Sequence, residues 1–304
     1  MIVYSLLTFT IFIALSSLVI LWRATTARLE WHRIFLSASL LVFVYLYGTW
    51  VFLSVYAKYI YCFCFILALV AGLWRKNTVT RAKPSKLKIL VNLFLSGVFI
   101  TLSGLYFTGT TGKPYGIAHL DLPFKKGNYF VFQGGKGLPT NVFHYGLRGA
   151  VFAIDLVKLN KAGNRAKHIF SKKLEDYEIF GDTIYSPCDG VVIKTADNND
   201  DNIPPERKRG PGNTNQVLIE TDSFYVFMGH LKHGSVLVKQ HDTVKKGQPL
   251  GCVGNSGFSL EPHLHIQVHA KTDRAIPWYK EKPLLIEFDD RSYLLFEEIK
   301  AAKS

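Results

Sequence analysis

The sequence predicts an integral-membrane α-helical half followed by an all-β half, and three observations predict it. Residues 1–112 contain long apolar runs almost free of charge. From Lys113 onward the chain breaks into short β-like runs punctuated by Gly, Pro and Asn, and the basic residues divide unevenly between the halves. The chain has 304 residues, 48% of them hydrophobic, and a formal charge of +13. Ten Lys/Arg and a single acid, Glu30, precede Gly112, so +9 of that charge lies in the first half and +4 in the second. Basic residues set between apolar runs, and not clustered on one folded face, point to membrane topology and away from a nucleic-acid partner.

The first run, Ile2 to Trp22, has 21 uncharged residues, and at about 1.5 Å per residue it crosses a hydrocarbon core of about 30 Å. A cleaved signal peptide needs basic residues ahead of the apolar stretch, and none precedes Arg23. Ile34 to Ala57 and Tyr59 to Trp74 are two further runs separated only by Lys58. One helix through both would be about 60 Å long, twice the membrane, so a tight hairpin is the economical reading, with Lys58 snorkelling to the interface. Ile89 to Thr108 supplies a fourth run. The predicted spans are therefore 2–22, 34–56, 59–74 and 89–108, with Trp22, Trp50 and Trp74 near the ends as an aromatic belt requires.

Four spans put the first and third loops on one side. The first carries Arg23, Arg28 and Arg33, and the third carries Arg75, Lys76, Arg81, Lys83, Lys86 and Lys88, against Lys58 alone in the second. The positive-inside rule sets those loops in the cytoplasm, with both termini and everything beyond Gly112 outside the cytoplasmic membrane.

The second half divides into a linker and leading strand over 113–140, a domain over 141–285 and a C-terminal extension over 286–304. Its β-like runs are Tyr129 to Gln133, Ala150 to Leu156, Gly190 to Lys194, Gln216 to Glu220, Phe224 to Met228, Ser235 to Val238 and His263 to His269. No amphipathic helix of useful length separates them, which favours an antiparallel β-sandwich or barrel-like domain. Asp197 to Asn215 is polar and rich in turn formers and reads as a long exposed loop. Asn160 to Asp176 interrupts the β pattern as a short helix or a flap.

The most informative segment is His263-Leu264-His265-Ile266-Gln267-Val268-His269. In a strand, Leu264, Ile266 and Val268 share a core-facing side while His263, His265, Gln267 and His269 share the other. Two imidazoles two residues apart on a rigid strand suit joint work on a metal, one ligating and its neighbour standing over the reacting water. A His-x-His pair alone is a weak signal.

Around it, Val244-Lys245-Lys246-Gly247-Gln248-Pro249-Leu250-Gly251-Cys252-Val253-Gly254-Asn255-Ser256-Gly257 followed by Glu261-Pro262-His263-Leu264-His265 resembles the signature of the lysostaphin-type, or LytM-like, zinc metallopeptidases that cut cell walls. Ser186-Pro187-Cys188-Asp189-Gly190-Val191-Val192 is similar to the family's strand and turn before its central sheet. Gly229-His230-Leu231 resembles its second histidine motif, and Ala153-Ile154-Asp155-Leu156 the segment bearing its metal carboxylate. The resemblance spans His144 to His269 in four motifs in the family order and does not cover the membrane helices.

The resemblance implies a lysostaphin-type peptidase fold, a Zn2+ cofactor held by His144, Asp155 and His265, and His230 and His263 as a catalytic pair beside the reacting water. Either of the pair serves as base, the other bonding the oxyanion. Two imidazoles and one carboxylate leave a fourth tetrahedral position open, as in a catalytic site. Two departures stand out. Ten residues intervene between His144 and Asp155, where the family's best-known members have the histidine four residues before the aspartate, so a different strand or loop must deliver His144. His119 and His168 are the replacement candidates. The family's tyrosine two residues before the second histidine is Met228 here, which bears on substrate contacts.

Other residues have plainer readings. His32 falls in a loop and His233 and His241 near turns, where a solvated imidazole is expected, and His269 lies too far along the strand to ligate. Glu261 as a general base lacks the His-Glu-x-x-His helix of other zinc proteases. Cys188 and Cys252 lie where a disulfide is permitted, and their pairing is left open.

The implied function is a membrane-anchored zinc endopeptidase acting on peptidoglycan cross-links, in contact with membrane lipid and peptide substrate. A non-catalytic wall-binding or hydrolase-activating relative is the alternative, though such relatives usually lose metal ligands and all five positions are filled. A lipoyl- or biotinyl-type carrier, mildly suggested by Val244 to Gly251, wants lysine between methionines, and the only methionines are Met1 and Met228.

Overall fold

A computed structural model describes the chain except for residues 1, 26–29, 75–82, 111–112, 147–148, 208–211, 274 and 302–304. The described residues fall into two compact units, Met1–Phe107 and Thr108–Ser304.

The first unit contains α1 (Ile2–Thr25), α2 (Trp31–Tyr47), α3 (Ala57–Trp74) and α4 (Lys86–Thr108). Three of these, from Tyr4 in α1, Ala57 in α3 and Lys86 in α4, are long and apolar enough to cross a membrane. The second predicted span is shorter than its apolar run, because α2 stops at Tyr47 after 17 residues. Gly48 leaves the helix with its backbone extended, and its N–H and the indole Nε1 of Trp50 both donate to Val44 O at 2.9 Å. Trp50–Phe52 then make a buried 3-10 turn, so an apolar turn and not more helix fills the rest of the run. Polar groups inside the unit meet each other: Ser37 Oγ donates to Ser17 O at 2.7 Å, Ser17 Oγ lies 2.5 Å from Tyr61 Oη, and Thr10 and Thr49 hydroxyls are 3.1 Å apart. Phe12, Ile60, Phe63, Leu90 and Phe94 point outward. His32 is not a solvated loop residue. It sits in α2, 2% exposed, and its Nδ1 accepts from Asn92 Nδ2 at 2.7 Å. Arg28, Arg75, Lys76 and Arg81, used for the topology, lie outside the described residues.

The second unit is built from β1 (Ile117–Leu120), β2 (Gly127–Gln133), a one-turn helix α5 (Val142–Tyr145), β3 (Ile154–Leu159), β4 (Thr183–Tyr185), β5 (Gly190–Ala196), β6 (Gln216–Glu220), β7 (Phe224–Gly229), β8 (Thr243–Val244), β9 (Pro249–Cys252), β10 (Leu264–Ala270), β11 (Leu285–Phe288), β12 (Arg291–Ser292) and β13 (Glu298–Ala301). Eight strands form one sheet in the order β13-β2-β3-β10-β7-β6-β5-β8, every neighbouring pair antiparallel. The segments before 141 and after 285 are built into it, β2 and β13 being paired at one edge. A two-stranded sheet, β4-β9, and a three-stranded one, β1-β11-β12, complete the unit, with β1 and β11 parallel.

Alternation decides which face is buried. Leu264, Ile266 and Val268 of β10, with Ile154, Leu156, Val217, Ile219, Val226 and Met228, join Ile184, Leu250, Ile286 and Phe288 of the small sheets in one core cluster. Each such fully buried side chain stabilises by about 1.5–3 kcal/mol. The opposite face of the large sheet is left for the polar residues of β10. Two runs differ from the prediction. The strand within 150–156 begins only at Ile154, and Ser235–Val238 is no strand, since the N–H groups of Ser235 and Val236 go to Asp197 Oδ1 at 3.0 and 3.1 Å.

Candidate metal centre and active site

Asp155 and His265 are each the second residue of their strand, and the register of β3 with β10 sets them directly opposite. A bulge between Val131 and Gln133 of β2 lies beside Asp155, and such an extra residue re-aims the side chains around it. His144 comes from α5, which solves the spacing problem: a short helix, not the strand, carries the first histidine. Its Nε2 is 3.2 Å from Asp155 Oδ2, while His265 Nδ1 is 2.9 Å from Asp155 Oδ1. One donor atom of each of His144, Asp155 and His265 lies within 4.8 Å of the others, and all three residues are buried. His230 follows the end of β7 with φ 66°, a left-handed conformation uncommon outside glycine. His263 directly precedes β10, its Nε2 3.6 Å from Asp155 Oδ1 and its ring centroid 4.7 Å from that of His230.

Each of the four imidazoles is tied down at one nitrogen, which fixes where the other points. Asn141 Nδ2 donates to Val151 O and Ala153 O at 3.0 and 2.9 Å, so its Oδ1 faces His144 Nδ1 at 2.9 Å. His144 Nδ1–H must donate, leaving Nε2 for Asp155. His230 Nδ1–H donates to Ser256 O and His263 Nδ1–H to Glu261 O, both at 2.8 Å. At His265 the roles reverse, with Nε2–H donating to Gln267 Oε1 at 3.0 Å. Its Nδ1 lone pair then faces a carboxylate oxygen at 2.9 Å. Two acceptors at that distance need a cation between them, a proton or a metal. The donor set of two imidazoles, each backed by an outer partner, and a carboxylate fits zinc.

The charges follow the same geometry. Burial raises the Asp155 carboxyl, but the charges of His144 and His263, together with hydrogen bonds from His144 and His265 when the nitrogens facing it are protonated, outweigh burial and hold it well below the usual carboxylate range. Burial lowers His144, yet Asp155 beside it brings the net shift above the ordinary histidine value. His230 is held well below that value, first by desolvation and then by His263 and His265. His269 is lowered by burial.

The remaining sequence candidates lie elsewhere. His119 is 62% exposed on β1, 3.1 Å from Asp290 Oδ1, and His168 is exposed, so neither replaces His144. Met228 faces the core, on the far side of the sheet from the site, and its neighbour Phe227 takes the site face, ring centroid 5.8 Å from that of His265. Glu261 is engaged by Arg165, whose Nε and Nη2 donate to its two oxygens at 2.7 and 2.8 Å. Cys188 and Cys252 are free thiols, and burial, with Asp189 and Asp121 nearby, pushes Cys188 up to about 12.

Sequence reasoning missed Asn141, Arg165 and the anchoring of the Asp197–Asn215 segment. Asn141 left one signal, an amide three residues ahead of the histidine it orients. That segment is not simply exposed. Asn202 and Asn215 are buried, Asn202 Nδ2 donates to Gly257 O at 2.6 Å, and Asn255 N donates to Asp201 Oδ1 at 2.6 Å.

Residues 174–277 match peptidase family M23. That stretch includes His230, His263 and His265, while His144 and Asp155 lie before it. No curated protein matches the chain. Among solved structures, the chain is similar to a zinc-containing peptidase from Vibrio cholerae, with 21% identity over 51% of this chain and 33% of that one and a TM-score of 0.27. It is also similar to a catalytic-domain mutant of the prophage-encoded M23 protein EnpA from Enterococcus faecalis, with 21% identity, 51% and 87% coverage and a TM-score of 0.31. The antimicrobial peptidase lysostaphin from Staphylococcus simulans gives 17% identity, 52% and 47% coverage and a TM-score of 0.30. The chain thus spans a third of the Vibrio cholerae protein and about half of lysostaphin. Following a helical unit, residues 174–277 of this chain are a domain of peptidase family M23, the lysostaphin or LytM-like family.

Proposed function

We propose that the chain is a membrane-anchored zinc endopeptidase that hydrolyses peptide bonds of peptidoglycan cross-links outside the cytoplasm. His144, Asp155 and His265 hold the metal, and His230 and His263 act on the reacting groups. The observation that carries this reading is the convergence of those three buried residues, with donor atoms within 4.8 Å of one another.

When bound, zinc supplies Lewis-acid polarisation of the scissile carbonyl and a lowered pKa for water. The protein's own part is orientation and proton movement. Asn141 and Gln267 hold the two ligand rings so that His144 Nε2 and His265 Nδ1 meet Asp155. His230 and His263, each anchored through Nδ1, leave Nε2 for the substrate. One, neutral, accepts the proton of the attacking water at Nε2, and the other, protonated on both nitrogens, donates from Nε2 to the oxyanion. Anchoring in a membrane is supported by three helices of sufficient length and by polar side chains that pair inside the unit while apolar ones face out. The outward side is supported by loop charge.

Purified full-length protein is expected to bind about one zinc, as a single three-ligand site does, and to release new amino termini from purified peptidoglycan. Asp155→Ala and His265→Ala are expected to lose both properties. Undiminished wall hydrolysis by His265→Ala would sink the assigned site.

A further inference from the structure

His265 is oriented by more than its immediate partner Gln267. Glu281 O lies 2.9 Å from His269 Nδ1. A carbonyl only accepts, so His269 Nδ1 carries the proton and Nε2 presents a lone pair. Gln267 Nε2 is 3.4 Å from His269 Nε2 and donates to it. The amide is thereby fixed in one of its two orientations, with Oε1 toward His265 Nε2 at 3.0 Å. His265 must then hold its proton on Nε2 and turn Nδ1 to Asp155. Without His269, either end of the Gln267 amide suits its surroundings, and the reversed one aims an N–H at His265 Nε2. That would favour the wrong tautomer.

We propose that His269 is a positioning residue for the metal ligand His265, acting through Gln267 to fix the tautomer in which Nδ1 is the donor. This rests on the zinc reading of the site. The protein surrounds His269 as a fixed element: the ring is 0% exposed, with the Trp278 ring edge-on at 5.4 Å. Gly149, at φ +92°, passes so close that a Cβ there would come within 2.9 Å of His269 Cε1 and 2.8 Å of Tyr279 O. The carbonyl end is fixed as well, because the Glu281 carboxylate accepts from Thr272 N, Thr272 Oγ and Asp273 N at 3.0, 2.7 and 2.9 Å.

Zinc affinity of the full-length protein, measured by chelator competition alongside the melting temperature, tests this. His269→Phe keeps an aromatic ring against Trp278 but removes the acceptor, and is expected to weaken zinc binding about tenfold, as loss of an outer partner does. Adding Gln267→Glu to that variant is expected to restore affinity, since both oxygens of a carboxylate accept and its orientation no longer matters. A role for His269 in packing alone predicts no such rescue. Gln267 is half-buried, so Gln267→Leu serves as a second probe if the histidine variant does not fold, with the same loss expected. Wild-type affinity in His269→Phe or in Gln267→Leu would overturn the proposal, as would a folded double variant that stays weak. A wild type that binds no zinc would overturn both this and the zinc reading, whereas unaffected variants of a zinc-binding wild type overturn this alone.

Discussion

At the scale of single residues, the proposed metal ligands are also titratable groups, so protons and zinc compete for them. His144 is raised above the ordinary histidine value by Asp155, although burial opposes this. A ligating imidazole must be neutral, so zinc binding has to release the proton shared by His144 Nε2 and Asp155. Because the metal-free His144 holds its proton to higher pH than a free histidine, apparent zinc affinity is expected to begin falling above about pH 6.5 as pH is lowered, and to go on falling below it. Calorimetric titration in buffers of different ionisation enthalpy checks this, and buffer-independent heats at pH 6.5 would contradict it. Asn141 matters for the same reason as Gln267. It fixes which nitrogen is available, and no ligand list would include it.

Among elements, the segments flanking the centre are joined to it by buried polar contacts. Arg165, 3% exposed in the segment between β3 and β4, makes a bidentate pair with Glu261, 7% exposed, whose carbonyl orients His263. Removing one partner strands a buried charge, so Arg165→Met is expected to destabilise the second unit by about 3–5 kcal/mol. Replacing both partners with Met is expected to recover most of that loss. Pulse proteolysis of the three proteins measures it, and equal stabilities for the single and double variants would rule the coupling out. The segment reads from sequence as a short helix or a flap, yet its Arg165 end is pinned. Nothing in its polar composition distinguishes a free flap from an anchored one, because the partner lies 96 residues away.

For the molecule as a whole, apolar surface faces outward around one unit and is buried within the other. Outward Phe12, Phe63 and Phe94 over an interior of paired Ser, Thr and Tyr hydroxyls is the arrangement a bilayer favours, since unpaired polar groups are expensive in hydrocarbon. Three helices are long enough to span; if the shorter α2 crosses as well, as the proposed four-span topology requires, most of the +9 of the first half falls in two loops on one side. Alkaline phosphatase fused after Ser304 is therefore expected to be active and a fluorescent protein fused there to stay dark, since the first needs the oxidising side of the membrane and the second reports the cytoplasm. Cytoplasmic activity would refute the four-span topology.

The sequence by itself determined the division into apolar helices and a β half, the strand at 216–220 to the residue, and the two faces of β10, because these follow from local hydropathy and from the period of two in a strand. It also pointed to His265 and Asp155, because each lies inside a contiguous motif. Only the tertiary structure decided that a one-turn helix brings His144 to Asp155, that Met228 turns away from the site, that α2 stops at Gly48, and that His32 is buried against Asn92. Each of those depends on strand register or on a partner tens of residues away. The chain's local chemistry carries no record of such contacts until the sheet and the helices pack.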